Sequence, residues 1–248
     1  MNIVVCVKQV PDTAEVRIDP VTNTLVRQGV PSIMNPFDKQ ALEAALMLKD
    51  EAGAKVTVLT MGPQQALEAL KEAVAMGADE AVLLCDRAFA GADTLATSYT
   101  LAKAIEKLAP VDLVLCGKQA IDGDTAQVGP EIAAQLGWGQ VTYALSVKQE
   151  NEGLRIEREY EDCVQVITGK TPLVVTVTRA AQEPRFASIK GKMKANRMPI
   201  PTWTAADLPV DSARTSLSGS PTQASRIFSP SHPQTHAELI RGMGAEHA

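Results

Sequence analysis

The chain has 248 residues, of which 45% are apolar and 21% are charged, and its formal net charge is −5. This length suits one α/β domain of ordinary size, with or without an extension. The mild acidity argues against nucleic-acid binding, which needs clustered Lys and Arg. No apolar run reaches the roughly 18 residues of a membrane span, and the first residues lack the features of a signal peptide. We therefore expect a soluble, cytoplasmic protein with no membrane span.

Histidine and cysteine are too few and too scattered for most catalytic sites. The three histidines, His232, His236 and His247, all lie near the C-terminal end, so the body of the chain has no imidazole for a triad or a metal. The four cysteines form no C-x-x-C pair, which disfavours a local metal or iron–sulfur site and suggests buried thiols in a reducing compartment. We predict no catalytic residue and no metal, with any chemistry supplied by a bound cofactor.

From the N-terminus to about residue 137, short apolar runs alternate with helical stretches. The runs at 3–7, 56–60, 81–85 and 112–116 are nearly continuous, as in strands that are buried on both faces. Asn35 before Pro36, and Asp93 before Thr94, predict helix starts. With right-handed crossovers, this pattern predicts an α/β fold with a doubly wound, mostly parallel sheet and helices on both faces.

Six segments depart from that pattern. Residues 16–27 predict an inserted β-hairpin, and the runs at 141–147, 154–161 and 173–178 predict further strands, antiparallel and at the sheet edge. Residues 183–197 are basic and lack regular periodicity. Residues 209–248 are rich in Ser, Pro and Thr, so they form either an arm that docks on a partner or a partly disordered tail. We therefore assign 1–208 to the α/β domain and 209–248 to a C-terminal arm.

Polar and glycine-bearing loops follow each predicted parallel strand. They begin at Lys8, Met61, Asp86 and Gly117, and the segment from Asn35 to Asp38 opens the first helix beside them. Ligands of open α/β sheets bind at this carboxyl edge, where the strand order reverses, so a nucleotide crevice is our leading hypothesis. An NAD-type Rossmann site and a P-loop are disfavoured, because neither glycine motif is present.

The loop at 117–127 has residues suited to a nucleotide. Glycine lets a backbone approach a ligand, Asp122 or Asp124 can accept hydrogen bonds from ribose hydroxyls, and Thr125 would begin the next helix, whose amides favour phosphate. The alternative is a solvated loop with an Asp cap.

The other polar residues at this edge also admit two interpretations. Thr94 and Thr97 lie three residues apart in a first helical turn, where they could bind a pyrophosphate or follow an ordinary N-cap. Lys8 could contact phosphate or be solvated. Met61 could contact a flavin or adenine ring or fill a gap in the core.

These same loops resemble a known family. The matching segments are VCVKQVPDT (5–13), MNPFDKQALEAA (34–45), VTVLTMGP (56–63), AMGADEAVLL (75–84), VDLVLCGKQAIDGDTAQVGP (111–130) and EPRFASIKGKMKA (183–195). In this order they resemble the β subunit of electron transfer flavoproteins, whereas residues 209–248 match less clearly. The resemblance implies one subunit of an αβ heterodimer that passes electrons between flavins and holds an adenine nucleotide in its crevice.

The resemblance leaves two nucleotides open. Conventional members hold AMP, whereas electron-bifurcating members hold a second FAD that takes a hydride from NADH and sends electrons to the α-subunit FAD and to ferredoxin or flavodoxin. Asp38, Gln40 and the loop at 86–97 resemble the bifurcating branch, so we expect FAD, with AMP as the alternative. A nucleotide-binding sensor of the universal-stress type shares the architecture and is a further alternative.

The resemblance also implies site residues. Those expected around the nucleotide are Cys6, Asn35, Pro36, Phe37, Asp38, Met61, Gly62, Asp93, Thr94, Thr97, Gly117, Lys118, Gln119, Ala120, Ile121, Asp122, Gly123, Asp124, Thr125, Ala126, Gln127 and Val128. In the segment at 183–197, Ile189 corresponds to an apolar residue that inserts into an acyl-CoA dehydrogenase. Arg185, Lys190 and Lys194 would contact or steer that partner. An exposed Ile can also be a tolerated surface residue.

Overall fold

A nine-stranded sheet forms the centre of the computed structural model, which describes residues 1–12, 31–151, 153–178, 180–181, 183–223 and 225. The strands are β1 (Asn2–Cys6), β2 (Gln9–Pro11), β3 (Ser32–Met34), β4 (Lys55–Met61), β5 (Glu80–Leu84), β6 (Leu113–Gly117), β7 (Gly139–Glu150), β8 (Gly153–Glu159), β9 (Val164–Gly169), β10 (Leu173–Val177) and β11 (Thr202–Trp203). Their order in the sheet is β11-β5-β4-β1-β6-β10-β7-β8-β9, and β2 and β3 form a separate antiparallel pair. The hairpin predicted at 16–27 lies outside the described residues.

Helices cover both faces of the sheet, as predicted. They are α1 (Pro36–Ala52), α2 (Leu67–Met76), α3 (Thr94–Lys107), α4 (Val128–Leu136) and α5 (Ile189–Arg197). Leu42 of α1 and Leu70 of α2 belong to the apolar cluster on one face, and Ile105 of α3 and Ile132 of α4 belong to the cluster on the other. Helix α5 packs against α2. The result is a three-layer α/β fold.

The parallel strands are buried on both faces. Val5 in β1 lies opposite Val58 in β4 and Leu115 in β6, and all three side chains are fully buried. Burial of both faces explains why these strands are continuously apolar rather than alternating. The four predicted strands differ from the observed ones by a residue at each end, within the uncertainty of element boundaries.

The last predicted strand was placed wrongly. We expected residues 173–178 to form an antiparallel strand at the edge, whereas β10 lies between β6 and β7 and is parallel to both. All five residues of β10 are buried, which is what an unbroken apolar run indicates. Antiparallel pairing is confirmed for β7 and β8, the strands predicted at 141–147 and 154–161. Strand β9, which pairs antiparallel with β8 at the edge of the sheet, was not predicted.

The basic segment contains a helix that periodicity did not indicate. Ser188 caps α5 by accepting a hydrogen bond from the Gly191 N–H at 2.9 Å. Only Ala195 of this helix is buried, so it has no apolar stripe for a periodicity search to find. Beyond it, residues up to Gln223 belong to the same compact unit as the sheet.

Candidate functional site

The strand order of the sheet reverses between β1 and β6. The chain builds outward from β1 through β4 and β5, then returns to place β6 on the other side of β1. A crevice opens at the carboxyl ends of two strands with this relation. Cys6 and Cys116 lie opposite each other at those ends, and both are buried. The predicted site loops all leave from this edge.

The carboxylate of Asp38 joins the ends of these two strands. Its Oδ2 accepts a hydrogen bond from the Lys8 N–H at 2.7 Å, and its Oδ1 accepts one from the Gly117 N–H at 3.1 Å. Burial raises the pKa of Asp38 to about 7, although hydrogen bonds from Asn35, Lys8 and Gly117 act in the opposite direction. Asp38 therefore fixes the separation of the two strand ends through buried hydrogen bonds.

Asn35 occupies the predicted N-cap position of α1, but among the described residues its side chain makes no capping hydrogen bond. Its Nδ2 donates to the Gln119 carbonyl at 2.8 Å, and its Oδ1 accepts from the Ile121 N–H at 3.2 Å. The backbone N–H of Asn35 donates to the Lys8 carbonyl at 2.8 Å. Asn35 thus holds the loop after β6 against the end of β1.

Lys8 joins the end of β1 to the loop after β6 from the solvent side. Its Nζ lies 2.7 and 2.9 Å from the two carboxylate oxygens of Asp122, and the side chains are 46% and 15% exposed. A partly exposed ion pair contributes about 1 kcal/mol or less. This contact can therefore open for a ligand at little cost.

The loop between β6 and α4 has a strained backbone. Asp124 and Ala126 both have φ of 54°, the left-handed region that residues other than glycine rarely adopt and that is concentrated at functional sites. The Gln119 carboxamide donates to the Asp124 carboxylate. The prediction that Thr125 begins the next helix was wrong, because the left-handed Ala126 cannot continue a right-handed helix. Helix α4 begins at Val128.

The N-termini of α3 and α4 meet at the side chain of Thr94. Asp93 caps α3 by accepting from the Ala96 N–H at 3.1 Å. The Thr94 Oγ1 lies 3.1 Å from both the Gln127 Oε1 and the Glu131 Oε1. Helix N-termini favour anions, and here the Asp93 carboxylate caps one of them while the Glu131 carboxyl lies beside the other.

Glu131 is the member of this cluster that sequence reasoning missed. Desolvation raises its pKa, and its buried Oε2 has no hydrogen-bond partner among the described residues. One hydroxyl proton cannot serve two acceptors, so either Glu131 is protonated and donates to Thr94, or the Gln127 carboxamide is turned. The sequence analysis did not single out Glu131, because an acidic residue is common in a first helical turn, where it interacts favourably with the helix dipole.

The remaining predicted residues lie along the same edge. Met61 packs against the apolar cluster under α3 and α4, in agreement with core packing. The Gly62 N–H donates to the Leu84 carbonyl at 3.0 Å. The Lys118 Nζ lies 5.1 Å from the centroid of the Tyr143 ring. Pro36, Phe37 and Thr97 are in the first turns of α1 and α3, and Ala120 and Gly123 complete the loop after β6.

Gln40, which we interpreted as a feature of one branch of the family, has a local structural contact. Its Oε1 accepts a hydrogen bond from the Ala180 N–H at 2.8 Å. The side chain therefore supports the backbone that follows β10. This contact gives Gln40 a role in the fold whichever nucleotide the crevice holds.

Comparison with known proteins identifies the family. Residues 22–208 match the electron transfer flavoprotein domain. The electron transfer flavoprotein subunit beta of Megasphaera elsdenii is 53% identical over 97% of this chain and 91% of that protein. The subunit of the same name from Clostridium acetobutylicum is 58% identical over 91% of this chain and 87% of that protein.

The chain belongs to the electron transfer flavoprotein β-subunit family. A third relative, 53% identical over 93% of this chain and 88% of its own length, is the caffeyl-CoA reductase-Etf complex subunit CarD of Acetobacterium woodii. The family resemblance drawn from the sequence motifs is therefore confirmed. In the described residues, no helix has the length and apolar character needed to cross a bilayer.

The segment that we assign to partner contact in this electron transfer flavoprotein subunit presents apolar side chains to solvent. Ile189 is 83% exposed, and Phe186, which the sequence analysis did not single out, is 94% exposed. Lys190 is exposed, whereas the Lys194 Nζ donates to the Ala78 carbonyl at 3.0 Å. Arg185 contacts its own domain, with Nη2 at 2.9 Å from the Glu43 Oε1. Arg185 and Lys194 thus anchor the segment, and their partner contacts remain predictions.

Gly117 provides a test of the crevice geometry. A Cβ at this position would lie 2.4 Å from the Asp38 Oδ1 and 2.6 Å from the Asp38 nitrogen. We expect Gly117→Ala to lower the free energy of unfolding by about 1–3 kcal/mol and to weaken nucleotide binding. Gly123→Ala is the matched control for stability, because a Cβ there would meet no atom within 4 Å. Nucleotide titration of Gly117→Ala measures the effect on binding, and equal effects of the two substitutions in urea unfolding would contradict the geometry.

Asp38 predicts a dependence of stability on pH. Its pKa rises from 3.8 to about 7 on folding, so the folded protein holds the proton more tightly. Its stabilising contribution is complete below about pH 4 and is lost as the pH rises through 7. Between pH 5.5 and 8.5 we expect the free energy of unfolding to fall by about 2 kcal/mol, measured by urea unfolding. Asp38→Asn should be less stable overall and show a smaller fall, and an unchanged slope would refute this assignment.

Proposed function

We propose that this chain is the nucleotide-binding subunit of an αβ electron transfer flavoprotein and that its crevice holds FAD. The observation that carries the proposal is the meeting of two helix N-termini, α3 and α4, at Thr94. AMP has a single phosphate, whereas FAD has two adjacent phosphates that two helix ends would bind. AMP is the alternative occupant.

The residues of the crevice fit a dinucleotide chemically. The close approach of Gly117 to Asp38 leaves no space for a Cβ, so the end of β6 packs directly against the start of α1 beneath the crevice. Asp122 and Asp124 offer carboxylates to ribose hydroxyls. The first-turn amides of α4, which lack a side-chain cap among the described residues, and the Thr97 hydroxyl offer donors to phosphate. The Thr94 hydroxyl would donate to phosphate by exchanging its contacts with Gln127 and Glu131. In this assignment the chain binds and orients the nucleotide.

The chemistry that FAD would supply at this site is acceptance of a hydride from NADH, followed by release of a proton and delivery of one electron to the flavin of the α subunit and one to ferredoxin or flavodoxin. The chain itself contributes placement and electrostatics. We infer a bifurcating carrier because Asp38 and the loop at 86–97 resemble that branch. The CarD relative, a subunit of a caffeyl-CoA reductase-Etf complex by name, supports an acyl-CoA-linked role.

We further propose that an acyl-CoA dehydrogenase docks on the segment around α5. Ile189 and Phe186 are the apolar groups available to it, and Met193 of the same helix is also half exposed. Lys190 lies beside them and adds positive charge, which steers an acidic partner. Cytoplasmic location and the α-subunit partner belong to the same proposal.

The ratio of FAD to AMP released from the purified heterodimer shows which nucleotide the crevice holds. We expect the purified αβ heterodimer to release two FAD and no AMP, and the absorbance of the β-site FAD to bleach with NADH. One FAD and one AMP would indicate the conventional carrier. A self-associating chain without a flavin-bearing partner would indicate a nucleotide sensor.

A pair of variants in α3 sharpens this test. Thr94→Val should weaken FAD binding at the β site about tenfold, because a hydrogen bond to a charged group is lost. Thr100→Val is the control, since the buried Thr100 Oγ1 donates within the helix, to the Ala96 carbonyl at 2.9 Å.

Docking on α5 is tested separately. Ile189→Ala should lower kcat/KM for reduction of the heterodimer by an acyl-CoA dehydrogenase about tenfold, because central apolar contacts dominate such interfaces, with flavin content unchanged. Val166→Ala removes an apolar side chain that is 55% exposed on β9 and should leave the rate unchanged. A similar loss in both variants would argue against α5 as the docking element.

A further inference from the structure

Residues 211–222 lie against the loop that precedes α3. The Ser216 Oγ donates to the Ala90 carbonyl at 2.6 Å. Leu217 packs over Gly91, where a Cβ would lie 3.1 Å from the Leu217 Cγ. We refer to residues 211–222 as the strap. The beginning of the segment that we assigned to a partner-docking arm is therefore docked on its own domain.

Asp93 is shared between the strap and α3. Its Oδ1 accepts from the Ala96 N–H at 3.1 Å and so caps the helix. Its Oδ2 accepts from the Thr222 Oγ1 at 2.8 Å and from the Thr222 N–H at 3.1 Å. The Asp93 N–H donates to the Ser220 Oγ at 2.8 Å. One carboxylate oxygen therefore serves the helix and the other serves the strap.

The charge state of Asp93 agrees with this arrangement. Desolvation acts to raise its pKa, but donors from Ala96, Thr222 and Ser220 outweigh it and leave the pKa below its usual value. The carboxylate is therefore ionised at neutral pH. An ionised Asp caps a helix and interacts favourably with its N-terminal dipole.

A second set of contacts ties the strap to both helices. The Asp211 N–H donates to the Tyr99 Oη of α3 at 2.9 Å. The Arg214 guanidinium lies 3.9 Å from the centroid of the Tyr99 ring, and its Nη2 donates to the Gln135 Oε1 of α4 at 2.9 Å. The strap thus contacts the two helices whose N-termini meet at Thr94.

From these contacts we propose that Ser220 and Thr222 are positioning residues, which set the N-terminus of α3 for the second phosphate of the nucleotide by fixing Asp93. This inference rests on the proposed function. Thr94 directly follows Asp93, so a cap held by the strap determines where the Thr94 hydroxyl and the first amides of α3 lie. Docking of the strap and binding of a diphosphate then stabilise each other, because thermodynamic linkage is reciprocal.

The test uses the αβ heterodimer stripped of its β-site nucleotide, with ADP and AMP as calorimetric probes. Thr222→Val and Ser220→Ala, alone and together, should weaken ADP binding about tenfold in the double variant. AMP binding should change less than about twofold, because AMP lacks the second phosphate that α3 would contact. Thr222→Ser keeps the hydroxyl and should therefore bind ADP as tightly as the wild-type protein does. Ser218→Ala is the matched control, because among the described residues the partners of the Ser218 Oγ are the Ser212 and Thr215 carbonyls of the strap itself, at 3.0 and 2.9 Å.

Amide hydrogen exchange gives the reciprocal measurement. ADP should slow exchange at residues 211–222 of the wild-type protein more than AMP does. The positioning role would be overturned if the double variant lost ADP and AMP affinity equally. It would also be overturned if ADP left the rate of amide hydrogen exchange in the strap unchanged. Failure of the wild-type protein to bind either nucleotide would instead refute the proposed function.

Discussion

The whole site depends on one buried carboxylate. Asp38 accepts hydrogen bonds from backbone groups at the ends of β1 and β6, the two strands between which the order of the sheet reverses. A parallel sheet supplies no ladder hydrogen bond beyond its last paired residues, so the loops there are held by the side chains of Asp38 and Asn35, together with backbone contacts such as that from the Asn35 N–H to the Lys8 carbonyl. Because Asp38 and Asn35 both come from the start of α1, one helix N-terminus sets the positions of both loops.

Burial of that carboxylate has an energetic cost that backbone donors only partly offset, as its raised pKa shows. Sites that bind ligands often retain such local costs in exchange for a fixed geometry. The left-handed Asp124 and Ala126 are a second instance. The apolar strands of the sheet, which are buried on both faces, offset the energetic cost of both features.

Much of the fold followed from the sequence because its signals are local. Continuous apolar runs predicted β1, β4, β5 and β6. The pairs Asn35-Pro36 and Asp93-Thr94 predicted the starts of α1 and α3. The position of β10 did not follow, because chain order does not say between which strands a later strand inserts. Helix α5 was missed since it buries only Ala195.

The site was foreseen at the level of loops but not of contacts. Sequence reasoning brought Asn35, Asp38 and the loop after β6 to one edge, yet interpreted Asn35 as a helix cap, because the residue type is typical of that role. Its actual partners, Gln119 and Ile121, are more than 80 positions away in the chain. Pairings of that sequence separation depend on packing, which no local pattern encodes. The burial of Glu131 depends on the same packing.

The ion pair between Arg185 and Glu43 has a consequence for electron transfer. Glu43 belongs to α1, whose first turn carries Asp38, and the two residues are separated by about 8 Å along the helix axis. The proposed docking segment and the crevice are therefore both held by α1. A displacement of this helix would move both, and so would disturb partner docking and nucleotide binding together, the two steps on which electron transfer depends.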